Sequence, residues 1–344
     1  MSALRVGIVG AGFGGLVHAP AFTLHPRFEV VAIASPNRAA DIARERRIPH
    51  AFRSVDEMLA GVDLDVVSVA SPPFDHDRSV RAALAARKHV LCEKPFTLRL
   101  PDAEELCAEA ARVPTVCALA FEFRYVPALR ALRELIDNGH LGALREIESA
   151  RMAAELLERS TSRPRGWWFS AEAGGGVANS VMPHLFDAAN FLAARAPEST
   201  YGFSRTANPR RADAEGAFVS SVADGAFAVV DYGRGLAGRV SNDSTTVVTS
   251  TTIAVHGETR SAIAHGTFLT DLALYTIAPD EQDELELQPM PYAKHAAMHG
   301  NIPPFLALLD AFAQRIDLGA GDVPTFADGL AVQRSLDAIG YGRV

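Results

Sequence analysis

The sequence predicts two domains: an α/β domain with a doubly wound parallel sheet over residues 1–122, then an α+β domain over residues 123–344. The second is built on a large open, mainly antiparallel sheet. Three patterns carry that expectation. Short apolar strands alternate with helical segments through the first third of the chain. From Leu144 onward, alternating apolar and polar runs recur with short turns between them. The chain has 344 residues, more than the roughly 250 to 300 at which a single hydrophobic core stops growing.

Composition narrows the function classes. A hydrophobic content of 48% with 22% charged residues is ordinary for a soluble enzyme, and the net charge of -8 is spread without long runs of one sign. Nothing there argues for nucleic acid or an anionic membrane as partner. Cys92, Cys107 and Cys117 form no C-x-x-C pair and have no histidine at ligand spacing, which fits a reducing cytoplasm and no metal site. The apolar start, Met1 to Ala21, is punctuated by glycines and reads as strand, loop and helix start, not as a signal peptide. No run is long enough to span a bilayer.

The first strand, Arg5 to Gly10, runs into Gly10-Ala11-Gly12-Phe13-Gly14-Gly15, a G-x-G-x-x-G in the strand-to-helix context that a dinucleotide requires. Gly10 permits the turn and Gly12 lets a pyrophosphate approach backbone N–H groups. Gly15 lets the helix sit close to the strand, and the loop as a whole, with Phe13 and Gly14, cradles the phosphates. Pro20, six residues on, predicts a short or bent first helix. The second strand, Phe28 to Ala34, completes a Rossmann βαβ unit and ends in Ser35-Pro36-Asn37-Arg38. No carboxylate stands there to hold the ribose 2'-hydroxyl of NAD. Ser35 and Asn37 can hydrogen-bond a 2'-phosphate and Arg38 supplies charge, so NADP(H) is favoured over NAD(H).

The pattern repeats. A helix at Ser54 to Ala60 precedes a strand at Asp65 to Ala70 that ends in Ser71-Pro72-Pro73; a helix at His76 to Ala86 leads to the strand that ends in Cys92-Glu93-Lys94-Pro95. Ligands of such sheets bind at the carboxyl ends of the strands. That rule lines up the glycine loop, Ser71, Pro72, His76, Glu93 and Lys94 along one edge. Lys94 then falls at the nicotinamide end, where a lysine suits proton chemistry on an alcohol or carbonyl.

These motifs together resemble the Gfo/Idh/MocA oxidoreductases, and the resemblance runs nearly end to end. It includes Phe121-Glu122-Phe123-Arg124-Tyr125-Val126-Pro127, the triple glycine Gly174 to Gly176 with His184-x-x-Asp187 after it, and Pro324 to Gly329. The resemblance implies that Lys94 is a catalytic and substrate-binding residue and that His184 is its partner. It implies a sugar, polyol or related carbonyl substrate, and a homodimer or homotetramer formed through the face of the second-domain sheet. Two other activities of the fold are implied as alternatives: an NAD-retaining glycosidase and a non-catalytic cofactor-sensing regulator.

In the second domain, Pro127 to Asn138 reads as an amphipathic helix. Strands are expected at Leu144 to Met152, Tyr201 to Thr206, Phe218 to Val222, Ala226 to Tyr232, Ala237 to Asn242, Val247 to Val255, Ser261 to His265 and Leu272 to Ile277. Helices follow at Ile302 to Ile316 and Phe326 to Ile339, the latter expected to pack back toward the first domain. Arg159 to Gly176 is the expected substrate wall: Trp167 and Trp168 could stack on a sugar ring, and Arg163 and Arg165 could meet hydroxyls or a carboxylate. Arg124 and Ser180 are further substrate candidates. Asp187, at i+3 from His184, could fix its tautomer. Ser180 stands where sugar and inositol dehydrogenases of the family commonly carry an aspartate, and serine is no base near neutral pH.

Overall fold

The computed structural model describes residues 2–158, 161 and 165–341. By compactness they fall into two units: residues 1–122 with 290–330, and residues 123–289 with 331–344. The sequence expectation left residues 290–330 in the second domain; they pack with the first.

The first unit holds a six-stranded parallel sheet in the order β3-β2-β1-β4-β5-β6. Its strands are β1 (Leu4–Val9), β2 (Phe28–Ala34), β3 (His50–Phe52), β4 (Val66–Val69), β5 (His89–Cys92) and β6 (Cys117–Leu119). Val6, Ile8, Ile33, Val67, Val90 and Leu91 are fully buried, as apolar strands covered on both faces must be. Helices α1 (Ala19–Leu24), α2 (Ala39–Arg46), α3 (Val55–Gly61), α4 (Pro73–Ala85) and α5 (Leu100–Ala110) make the crossovers. Pro20 does shorten the first helix. Gly14–His18 is a π-helical turn, and α1 starts after it with the proline in its first turn, where the missing N–H costs little.

Aromatic packing explains why residues 290–330 join this unit. Helix α9 (Ile302–Leu318) lays Phe305 against Phe22 and the His18 ring, and Phe312 stacks on Phe28 at 6.1 Å between centroids. Each such buried ring is worth roughly 1.5 to 3 kcal/mol. Arg27 adds a two-pronged pair to Asp317, with Nε and Nη2 each 2.7 Å from a carboxylate oxygen. The first turn of the last helix, α10 (Phe326–Ala338), also belongs here: Phe326 meets Phe96 at 4.5 Å, and Gly329 passes so close to Leu119 that a Cβ would sit 2.9 Å from Cγ.

The second unit is built on an eight-stranded sheet in the order β16-β15-β14-β13-β7-β12-β11-β8. The strands are β7 (Leu144–Met152), β8 (Ser199–Arg205), β11 (Gly225–Asp231), β12 (Ala237–Asp243), β13 (Ser250–Gly257), β14 (Ser261–Gly266), β15 (Ala273–Ala278) and β16 (Glu281–Leu285). Neighbours are antiparallel except β12 beside β7. The expected strand at Phe218 to Val222 lies outside this sheet: β10 (Gly216–Val219) pairs only with β9 (Arg210–Asp213) in a separate ribbon. Helices α6 (Pro127–Asp137), α7 (Val177–Ser180) and α8 (Met182–Ala193) belong to this unit. Helix α8 packs on β7 and β12 and is buried almost throughout. The opposite face of the sheet is open, with Tyr201, Phe203 and Val229 at 70%, 59% and 56% exposure. No helix among the described residues is long and apolar enough to cross a membrane.

Candidate active site

In the first unit the glycine loop is shaped by what its backbone must avoid. Gly10 has φ +109°, and a Cβ there would stand 2.3 Å from the carbonyl oxygen of Ala70, so the ends of β1 and β4 meet too closely for any side chain. Gly12 is exposed, with nothing within 4 Å of where a Cβ would be. That open space over a loop leading into a helical turn fits a pyrophosphate. The close helix-to-strand approach expected at Gly15 falls instead to Gly14, where a Cβ would stand 3.0 Å from Ile8 Cγ2, while a Cβ on Gly15 would face Ile42 of α2. Phe13 lies edge-on to His18 and His299. Ser71 Oγ is buried without a hydrogen-bond partner, as a donor kept for a ligand would be.

At the end of β2, the Ser35 N–H bonds to Phe52 O at 3.0 Å, and Asn37 and Arg38 stand exposed. Pro72 caps α4, but His76 in the same turn does not present itself to a ligand. It is buried, with Nδ1 2.9 Å from Pro95 O and Nε2 2.8 Å from Ser71 O. Burial lowers the imidazole pKa, and the neutral ring, with a single N–H, donates to one of these two carbonyls. The His76 ring thus lies between the backbone turns that carry Ser71 and Pro95.

Lys94 opens the turn after β5, and its peptide bond to Pro95 is cis. Its backbone N–H donates to Glu93 Oε2 at 3.2 Å, and Glu93 Oε1 accepts from His18 Nε2 at 3.0 Å. His18 Nδ1 lies 2.7 Å from Ser68 Oγ on β4. Burial pushes the Glu93 carboxyl up, but the bond and charge of His18, then the charges of Lys94 and His76, outweigh it and bring its pKa below the ordinary value. Glu93 is thus a buried carboxylate that holds the lysine's backbone, not a surface ion. Sequence reasoning singles out neither His18 nor a second buried acid, Glu122. Glu122 follows β6, is fully buried, and accepts at Oε1 from Asn301 Nδ2 at 3.1 Å; Oε2 has no hydrogen-bond partner. Burial first, then the charge of Glu93, push its carboxyl up to about 8 against the opposing charge of Lys94.

In the second unit, His184 stands in the first turn of α8, buried, with its ring edge-on to Phe123 at 4.5 Å. Asp187 follows one turn later on α8 and is likewise buried. Its carboxylate takes Arg124 Nε at 2.9 Å and Nη2 at 2.5 Å, in a pair that is almost wholly buried. Arg124, expected to reach substrate, therefore commits those two nitrogens to Asp187. The triple glycine holds the tryptophan turn: the Gly176 N–H donates to Trp168 O at 3.0 Å, and a Cβ on Gly175 would come within 2.2 Å of the same oxygen. Trp167 is exposed, Trp168 is half-buried against Phe169, and Ser180 is half-buried at the end of α7. Arg165 pairs with Asp213, Nη2 to Oδ1 at 2.8 Å, in place of the expected substrate contact; Arg163 lies outside the described residues. No group of three or more metal-ligating side chains occurs among the described residues.

Comparison with known proteins fits this geometry. Residues 4–121 match the oxidoreductase family with the NAD-binding Rossmann fold, and residues 129–263 match the GFO/IDH/MocA C-terminal domain. The chain belongs to the Gfo/Idh/MocA oxidoreductase family. It is 28% identical over 315 residues to the 1,5-anhydro-D-fructose reductase of Ensifer adhaerens, covering 89% of this chain and 88% of that one. It is 33% identical over 195 residues to the D-glucoside 3-dehydrogenase of Escherichia coli, covering 56% and 54%. The chain spans about half the length of several of the curated relatives it matches. A solved levoglucosan dehydrogenase, in complex with NADH and L-sorbose, superposes with a TM-score of 0.86 at 23% identity over 99% of this chain and 96% of that one. That likeness shows the fold.

Proposed function

We propose that the protein is an NAD(P)-dependent oxidoreductase acting on a hydroxyl or carbonyl carbon of a sugar, polyol or related small molecule. The observation that carries the reading is Lys94, held by the buried Glu93 carboxylate at the same sheet edge as the open glycine loop. When bound, the nicotinamide supplies or accepts the hydride. The chain's own work is to position the substrate and to handle one proton: Lys94 and His184 exchange it with the substrate oxygen. Trp167 and Trp168 offer apolar faces to a sugar ring, and Ser180 a hydrogen bond to a hydroxyl.

Within this reading the cofactor is NADP(H) in preference to NAD(H). The support is the absence of a carboxylate among Ser35 to Arg38 and the exposure of Asn37 and Arg38. The open sheet face with Tyr201, Phe203 and Val229 supports association of copies as a homodimer or homotetramer. The free cysteines, Cys92 buried among them, support a cytoplasmic location. The test is nicotinamide absorbance with NADPH and NADH separately, across keto-sugars, aldoses, inosones and small dicarbonyls. Turnover with at least one panel member supports the reading. Silence across the panel, with cofactor tightly retained, overturns it in favour of a glycosidase or a sensor.

A further inference from the structure

Trp167 and Trp168 sit on a turn that has little stiffness of its own. Trp167–Phe169 make a single 3-10 turn, with Gly166 before it and Gly174 to Gly176 after it, so the backbone on both sides is of the most permissive kind. Residues 165, 169 and 171, which flank the two indoles, are each held from residues 213–221. Asp213 takes three donors of Arg165: Oδ2 accepts from the backbone N–H at 2.9 Å and from Nε at 3.1 Å, and Oδ1 from Nη2 at 2.8 Å. Nη2 also donates to Gly216 O at 3.1 Å, and the guanidinium lies over the Phe218 ring at 5.4 Å. Phe218 in turn meets Phe169 edge-on at 5.1 Å. The Ser221 N–H donates to Phe169 O at 3.2 Å, and Ser221 Oγ accepts from the Ala171 N–H at 2.9 Å.

Most of those holding residues belong to the β9–β10 ribbon, and a lone two-stranded ribbon is marginal in water. Buried charges fasten it to the rest of the unit. Arg211 of β9 donates from Nη1 to Leu156 O and to Glu158 O, both at 2.8 Å, and its Nη2 lies 3.5 Å from Asp224 Oδ2. Asp224, just before β11, accepts from the Ala207 and Asn208 N–H groups at 2.8 Å each. The large sheet thus fixes the ribbon, and the ribbon fixes the turn. We propose that Asp213 is a positioning residue for substrate: through Arg165 it holds Trp167 and Trp168 as a preformed surface for a sugar ring, with Phe218 as the second hold. Both Asp213 oxygens are committed, since Oδ1 also accepts from the Glu215 N–H at 2.9 Å, and the side chain is almost wholly buried. An acid so placed orders the turn before a ligand arrives and removes that cost from binding. The inference deepens the proposed function and rests on it for the identity of the ligand.

The chain has two tryptophans, both on this turn, so its indole fluorescence reads the turn alone. In the full chain without substrate, Asp213→Ala and, separately, Arg165→Ala should shift the emission to longer wavelength and raise acrylamide quenching, as Trp168 leaves its contact with Phe169. Asp213→Asn keeps an acceptor oxygen for Arg165 and should fall between the unaltered protein and Asp213→Ala. With a sugar that turns over, both alanine variants should raise KM about threefold to tenfold and leave kcat and NADPH affinity within about twofold, because a preformed stacking surface serves ground and transition states alike. Arg165 is exposed, and its replacement leaves Asp213 the Arg165 and Glu215 N–H groups, so Arg165→Ala carries the test even if Asp213→Ala does not fold. Unchanged emission and quenching in Arg165→Ala overturns the proposal, and so does a shifted emission with KM unmoved. A shifted emission together with silence of the unaltered protein on every sugar would overturn the oxidoreductase reading and leave the ribbon's hold on the turn standing.

Discussion

Glu93 and His18 are joined by a hydrogen bond of 3.0 Å in a site closed to solvent, although 75 positions separate them. Removing one partner of such a buried pair leaves the other's charge without compensation, at a cost of about 3 to 5 kcal/mol. Urea unfolding of His18→Ala at pH 7 should show a loss of that order. The Glu93 carboxyl lies below its ordinary pKa, so its contribution is complete above the unfolded carboxylate value and fades as pH falls through the folded one. The gap between His18→Ala and the unaltered protein should therefore narrow in acid; an equal gap at pH 7 and pH 4 would speak against an ionised Glu93.

Two glycines of one motif should fail differently. Gly10→Ala drives a Cβ into the Ala70 carbonyl at a positive φ, and should lower unfolding stability by at least about 2 kcal/mol. Gly12→Ala meets nothing in the protein and should leave stability within about 0.5 kcal/mol, while a methyl over the pyrophosphate site weakens NADPH binding tenfold or more. Thermal melts paired with fluorescence titration separate the two. Equal loss of fold in both would contradict the open space over Gly12.

Arg38→Ala should weaken NADPH about tenfold, the value of one charge-assisted contact, and leave NADH unchanged. Parallel weakening of both cofactors would remove Arg38 from 2'-phosphate recognition.

The Arg124 and Asp187 pair should behave as structure. Arg124→Ala strands the Asp187 carboxylate and should cost about 3 to 5 kcal/mol, whereas Arg124→Met with Asp187→Leu should recover much of it. Failure of the double replacement to regain stability over the single one would contradict this.

Much of the fold is legible because it is local. The βαβ rhythm, the G-x-G-x-x-G turn and the alternating strands are all written in neighbouring residues, and the break at Pro20 follows from one ring. What escapes is long-range partnership. His18 reads as one more residue of a first helix, and only folding brings Glu93 to it. Glu122 sits between Phe121 and Phe123 in a stretch whose acid would ordinarily face water; only folding buries it and brings the Asn301 amide to it from 179 positions away. Asp187 was matched to His184 by helical spacing, yet Arg124 on a separate turn claims its oxygens. Residues 290–330 carry a sound helical pattern that contains nothing to say that Phe305 and Phe312 will find Phe22 and Phe28.

Lys94→Ala, assayed with any substrate that turns over and with NADPH binding followed by nicotinamide fluorescence, tests the central claim most directly. Loss of a positioned proton-transfer group should lower kcat by roughly 100-fold to 10,000-fold, with NADPH affinity within about threefold of the unaltered protein. A variant that turns over at an undiminished rate would remove Lys94 from the chemistry and take the proposed mechanism with it.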